Sequence, residues 1–347
     1  MLTRRDFLKL STGAMVAGNG LNLESEETRP GLKCRPTISG PLWWGSPRQF
    51  KEWGLSGWRT ELDQQRELGF DLLWLTQAPS LIKAESFPLK DLLDLCAQRS
   101  VQVILDTGYT GNWYAPLDLK KELELCRGNI KALGEQFATH PAFYAWYIPQ
   151  EIYMAWGPMD SYVHELYPAL TEACKKAANL PVTLSPFFIL DRTKVFGDFQ
   201  FNEPEEYRQY WTKLIKRSGL NVIMLQDSGE HFSYVTNEQR RPFFQAMSQA
   251  CRDSGARLWG NVEVGEMECS SLEEYVKRYG RVHHSTVKDI TWRSVPIDRL
   301  RDKLALAAEY SERIVSWGYR EFCRPELGSR AKEWYDSYRN YFKSAAK

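Results

Sequence analysis

Two patterns of hydrophobic and polar positions alternate along the chain. Short, nearly continuous apolar runs stand at Ile38–Trp44, Asp71–Gln77, Val101–Asp106, Phe143–Ile148, Pro181–Phe187, Asn221–Gln226, Arg257–Glu263 and Tyr319–Cys323. Runs of this length suit strands covered on both faces. Between them, apolar residues recur at three- and four-residue spacing, as in amphipathic helices. The predicted helices are Thr60–Leu68, Leu89–Gln98, Leu119–Phe137, Tyr162–Ala178, Glu205–Arg217, Asn237–Asp253, Ile297–Ser316 and Ser329–Phe342. Gly219 and Gly255 stand just past two of them, where a left-handed residue ends a helix at little steric cost.

Successive strand starts lie about 30 to 42 residues apart, except for a last interval of about 62. A βα unit of that size repeated eight times predicts an α/β chain folded as a single (β/α)8 barrel. The long interval places an insertion at 265–296, between strands 7 and 8. An open doubly wound sheet would carry a Gly-x-Gly-x-x-Gly turn after its first strand. The sequence there is Trp43-Trp44-Gly45-Ser46-Pro47 instead. The barrel is expected over 36–347, preceded by a signal and linker over 1–30.

Chemistry in such a barrel gathers where strands run into the loops that follow them. Those positions hold Trp43 and Trp44 (strand 1), Gln77 (strand 2), Asp106 and Tyr109 (strand 3), and Gln150 and Glu151 (strand 4). Strand 6 brings Gln226 and Asp227, with His231 in its loop, and strand 7 brings Trp259, Asn261 and Glu263. Glu151 and Glu263 are the informative pair. Cleaving a glycosidic bond needs one carboxyl group to protonate the leaving oxygen and a second to meet the developing oxocarbenium ion. Gln150 and Asn261 are neutral amides suited to sugar hydroxyls. Trp43, Trp44, Tyr109 and Trp259 offer flat faces for sugar rings, and Asp227 is placed to orient Glu263 or bind a hydroxyl.

Glutamates ending strands 4 and 7, the first within Tyr147-Ile148-Pro149-Gln150-Glu151, resemble the large clan of retaining glycoside hydrolases. That clan usually has Asn-Glu where this chain has Gln150-Glu151. More narrowly, Trp146–Glu151, Val222–Asp227 and Leu258–Val264 resemble a bacterial family of glycosidase-like barrels of unassigned function. The resemblance implies an acid/base role for Glu151, and for Glu263 a role as nucleophile or charge stabiliser.

Composition narrows the partners. With 45 basic and 44 acidic residues the net charge is +1, which disfavours a nucleic-acid or anionic-membrane binder. Aromatics reach 13%, with 13 tryptophans, more than a core alone calls for. Thr3-Arg4-Arg5-Asp6-Phe7-Leu8-Lys9 ahead of a short apolar run resembles a twin-arginine export signal, so the expected location is periplasmic or secreted, with the twin-arginine machinery as a partner. That run is too short to span a bilayer, and stable membrane insertion after processing is not expected. The seven cysteines show no zinc spacing, and an odd count leaves at least one thiol free. No cofactor or metal is demanded, and a carbohydrate is the expected substrate. Two rival readings stay open: a non-catalytic carbohydrate-binding barrel, and a metal-dependent lyase or isomerase using Asp106, Asp227 and Glu263.

Overall fold

The computed structural model describes residues 33–345 apart from 85–86, 198–199, 229–231, 283–286 and 288. The export motif therefore lies outside the described residues, as do His231 and the pair His283-His284. Eight parallel strands close into a barrel: β1 (Gly40–Trp44), β2 (Leu72–Thr76), β3 (Gln102–Asp106), β4 (Phe143–Ile148), β5 (Val182–Leu184), β6 (Val222–Gln226), β7 (Arg257–Asn261) and β10 (Arg313–Ser316). The strand order is β1-β10-β7-β6-β5-β4-β3-β2, the single-file winding of a (β/α)8 barrel.

Each strand buries both faces, which explains its unbroken apolar run. Leu42, Trp74, Ile104, Tyr147, Met224, Trp259 and Val315 pack together inside the barrel. Their sequence neighbours, such as Trp43, Leu75, Leu105, Trp146, Leu225 and Ile314, join the larger core beneath the helices. Gly40 is required at the start of β1, since a Cβ there would lie 1.8 Å from the carbonyl oxygen of Leu72.

The helical layer includes α1 (Pro47–Glu67), α2 (Ala78–Leu81), α3 (Leu89–Gln98), α4 (Leu119–Phe137), α5 (Gly157–Ala177), α6 (Pro204–Ser218) and α7 (Asn237–Ser254). The insertion follows β7. It holds β8 (Gly265–Met267) and β9 (Trp292–Ser294), paired antiparallel, with α8 (Leu272–Tyr279) between them. Helices α9 (Ile297–Tyr310), α10 (Tyr319–Phe322) and α11 (Ser329–Ala345) complete the chain. The insertion has its own apolar cluster, in which Met267 and Tyr275 pack with Tyr153, Phe187, Phe196 and Phe232 from the loops after β4, β5 and β6. It is thereby anchored at the same end of the barrel as the carboxyl termini of the strands.

The eighth barrel strand corrects the sequence reading. Tyr319–Cys323 is not a strand; Tyr319–Phe322 forms a helical turn, and the strand is Arg313–Ser316, inside the stretch expected to be helical. Helix α9 ends at Tyr310, the backbone of Ser311 after it is extended, and Val315 then pairs with both Asn261 and Gly40. A four-residue run is too short to show its period. Only the two neighbouring strands, each lacking a partner, decide its state. All seven cysteines are free thiols, six of them buried.

Candidate active site

Three strand ends supply the acidic groups. Asp106 closes β3, Glu151 stands three residues past β4, and Glu263 two past β7. Beyond Asn261 the chain keeps pairing with β10, the Val262 N–H donating to the Val315 carbonyl and the Val264 N–H to that of Trp317, both at 2.9 Å. Val262 and Val264 lie in the outer core, so alternation puts Glu263 on the inward face with Trp259 and Asn261. Glu263 is 1% exposed.

Glu151 is half-buried and held at both oxygens. The Tyr147 hydroxyl, four residues earlier, donates to Oε1. Gln226 at the end of β6 donates Nε2 to Oε2 at 3.0 Å and to the Ser185 carbonyl at 2.8 Å. Gln226 is also the register partner of Asn261, two residues before Glu263. One amide thus ties the first glutamate to the strand pair that carries the second. Asn261 donates Nδ2 to Ser185 Oγ at 3.1 Å, while its Oδ1 is buried without a hydrogen-bond partner among the described residues.

Asp106 is also buried, its Oδ1 accepting the Ala78 N–H at 2.8 Å and its Oδ2 having no hydrogen-bond partner among the described residues. Burial raises its carboxyl group from 3.8 to about 6, against the pull of N–H groups at Ala78, Gln77 and Gly108. Gln77 itself is half-buried with φ of 60°, caps α2, and faces Asp106 through its backbone. Tyr109 is half-buried. Burial first, then the charges of Asp106, Glu151 and Glu122, raises its phenol above the usual range, so its hydroxyl stays a donor. Trp44 and Trp317, both partly exposed, pack on the inner-barrel cluster.

Several expected contacts fall elsewhere. Gln150 is fully buried and turns toward α4, donating to Glu122 Oε1 at 2.5 Å and to Cys126 Sγ at 3.4 Å, so it is no sugar ligand. Trp43 faces the helical layer, 5.3 Å from Trp58, and donates Nε1 to Gln49. Trp259 is inner-barrel core beside the start of β10, stacked on Tyr144 with Arg313 5.2 Å from its ring. Asp227 is 2% exposed and paired with Lys303 at 2.9 Å, which leaves it no open face toward a hydroxyl. Trp43, Gln150 and Asp227 share one cause, since neighbouring residues at a strand end point to opposite faces; Trp259 does face inward, but two residues below Asn261, within the packed interior of the barrel.

The nearby glutamates are engaged in ion pairs, Glu266 with Arg293 and Arg299, and Glu268 with Arg293. No group of three His, Cys, Asp or Glu side chains is arranged to hold a metal among the described residues, and Asp106, Asp227 and Glu263 form none. Sequence reasoning missed Trp317, because the strand before it was misplaced. It also missed Lys303, although the signal was there: a lysine on the stripe of Leu300, Leu304 and Ala307.

The fold matches solved structures of sugar-active proteins. A "putative alpha-L-fucosidase" from Bacteroides thetaiotaomicron is 19% identical with a TM-score of 0.68, the match covering 94% of this chain and 99% of that one. An endo-beta-1,4-mannanase from Thermotoga petrophila is 11% identical with a TM-score of 0.54, over 91% and 78% of the two chains. A glycoside hydrolase family 5 structure from Bacteroides vulgatus is 10% identical with a TM-score of 0.52, over 88% and 67%. At these identities the likeness is one of fold. No curated protein matches the sequence. A family model described as a domain of unknown function, DUF4434, matches residues 38–328, and the chain belongs to that family.

Proposed function

We propose that the protein is a glycoside hydrolase that cleaves a poly- or oligosaccharide with two carboxylates, Glu151 as acid/base and Glu263 as nucleophile or charge stabiliser. One observation carries the reading. Glu151 is fixed at both oxygens by Tyr147 and Gln226, and Gln226 lies beside Asn261 on the strand that leads to Glu263. Support also comes from the fold, shared with proteins named for fucosidase and mannanase activity. Trp44, Tyr109 and Trp317 are partly exposed rings suited to stack a sugar. A retaining course requires carboxyl groups about 5–5.5 Å apart, whereas inversion requires about 6.5–9.5 Å.

Glu151→Gln and Glu263→Gln are each expected to abolish hydrolysis across a polysaccharide panel and leave the melting temperature unchanged. Unaltered turnover in either variant removes that residue's role. The anomeric form of the first product, followed by NMR, separates retention from inversion. Glycan binding by a wild type that hydrolyses nothing would instead make the protein a carbohydrate-binding barrel.

Export through the twin-arginine route belongs to the same reading, supported by Arg4-Arg5 and the weakly apolar run behind them. Residues 1–35 fused to a reporter should carry it to the periplasm, and replacing both arginines by lysine should stop it. Among the described residues no helix is long and apolar enough to cross a membrane.

A further inference from the structure

Behind Glu263, between the ends of β6 and β7 and helices α7 and α9, lies a cavity walled by charge. Asp227, Arg240, Lys303, Glu266 and Arg299 line it together with Glu263. Asp227 and Lys303 are 2% and 6% exposed, and a buried ammonium is costly to desolvate, so its placement calls for a reason.

That reason lies in the backbone of Glu263. The β6–β7 ladder begins with the Arg257 N–H on the Asn221 carbonyl and still joins the Asp227 N–H to the Asn261 carbonyl. Carried one step on, it would bring the Glu263 N–H to the carbonyl of Asp227. That carbonyl instead accepts Nε of Arg240 at 2.8 Å, and the chain leaves the sheet. Side chains take over the missing bonds. Asp227 Oδ1 accepts the Glu263 N–H at 3.3 Å, and Lys303 Nζ donates to the Glu263 carbonyl at 2.6 Å. Asp227 Oδ2 and Lys303 Nζ, 2.9 Å apart, close the ring.

We propose that this ion pair is a clamp that replaces the departed strand, grips both peptide groups of Glu263 and sets its carboxylate over the mouth. Lys303 and Asp227 are then positioning residues, and the inference rests on Glu263 being a reacting carboxylate. The groups facing Lys303 are Asp227 from β6, Arg240 from α7 and Glu263 itself; burial lowers its pKa, Asp227 and Glu263 raise it, and Arg240 lowers it.

The test uses the full chain and a polysaccharide that the wild type hydrolyses. Lys303→Met keeps the aliphatic stem and removes the donor and the charge. It is expected to lower kcat about tenfold or more, with KM changed by less than about twofold, the pattern of a lost transition-state interaction. Its kcat/KM profile should also lose activity at a higher pH on the acid side, because a positive charge that favours an anion at the site is gone. The double variant Asp227→Asn/Lys303→Met removes both charges and leaves Asn an oxygen for the Glu263 N–H. It should regain the melting temperature and the acid limb yet keep the low kcat, and it carries the test if the single variant does not fold. Recovery of kcat together with stability would overturn the clamp, leaving only a structural ion pair. Full activity in Lys303→Met beside an inactive Glu263→Gln would overturn the clamp alone. Activity in Glu263→Gln would overturn the reading beneath it.

Discussion

Asp106 offers a sharp test of the electrostatics at the mouth. Its carboxyl group is 1% exposed and ionises near pH 6 in the fold against an ordinary 3.8. The difference of roughly two pH units is worth about 3 kcal/mol, at about 1.4 kcal/mol per unit. Between those two pH values the folded chain holds a proton that the unfolded chain has lost, so stability falls as pH rises. The favourable contribution is whole below pH 3.8 and gone above about pH 6, where the fold carries a buried anion. Asparagine has nearly the same shape, no charge, and an oxygen for the Ala78 N–H. Asp106→Asn should therefore gain about 3 kcal/mol on the wild type between pH 4 and pH 7, in order of magnitude. Denaturant unfolding followed by tryptophan fluorescence at pH 4, 5, 6 and 7 measures that difference. A gap that stays flat across the window, or narrows as pH rises, would refute the assignment of a raised carboxyl group.

Two further variants probe the frame. Gln226→Leu removes the donor to Glu151 Oε2 and is expected to cost about 1.5–3 kcal/mol of transition-state stabilisation, roughly a tenfold to hundredfold loss in kcat/KM; an unchanged value would show that Glu151 needs no such support. Gly40→Ala puts a methyl group 1.8 Å from the Leu72 oxygen, a contact that must push β1 off β2. A loss of about 1–3 kcal/mol or more is expected in the same unfolding assay, and wild-type stability would contradict the close approach.

Much of this was legible in the order of residues. The bounds of α4 and β4 coincide with their apolar patterns, and the repeat of strand and helix dictated an eight-stranded barrel before any pairing was known. So did the position of the insertion, because an extra length between two repeats has nowhere else to go. The period of a strand also states that Trp43 and Trp44 face opposite ways, as do Gln150 and Glu151 if the chain stays extended. It does not state which of each pair looks into the mouth.

That choice belongs to the closed barrel. Trp44 faces inward because Leu42 below it does, and Gln150 turns outward because Glu122 and Cys126 on α4 receive it. Arg313–Ser316 is a strand because β7 and β1 would otherwise keep open edges. Lys303 lies 40 residues from Glu263 and reaches its carbonyl only when α9 packs beside β7. Local periodicity is a property of a segment and survives in the sequence; the partner of a buried charge depends on contacts between distant segments, which only the folded chain creates.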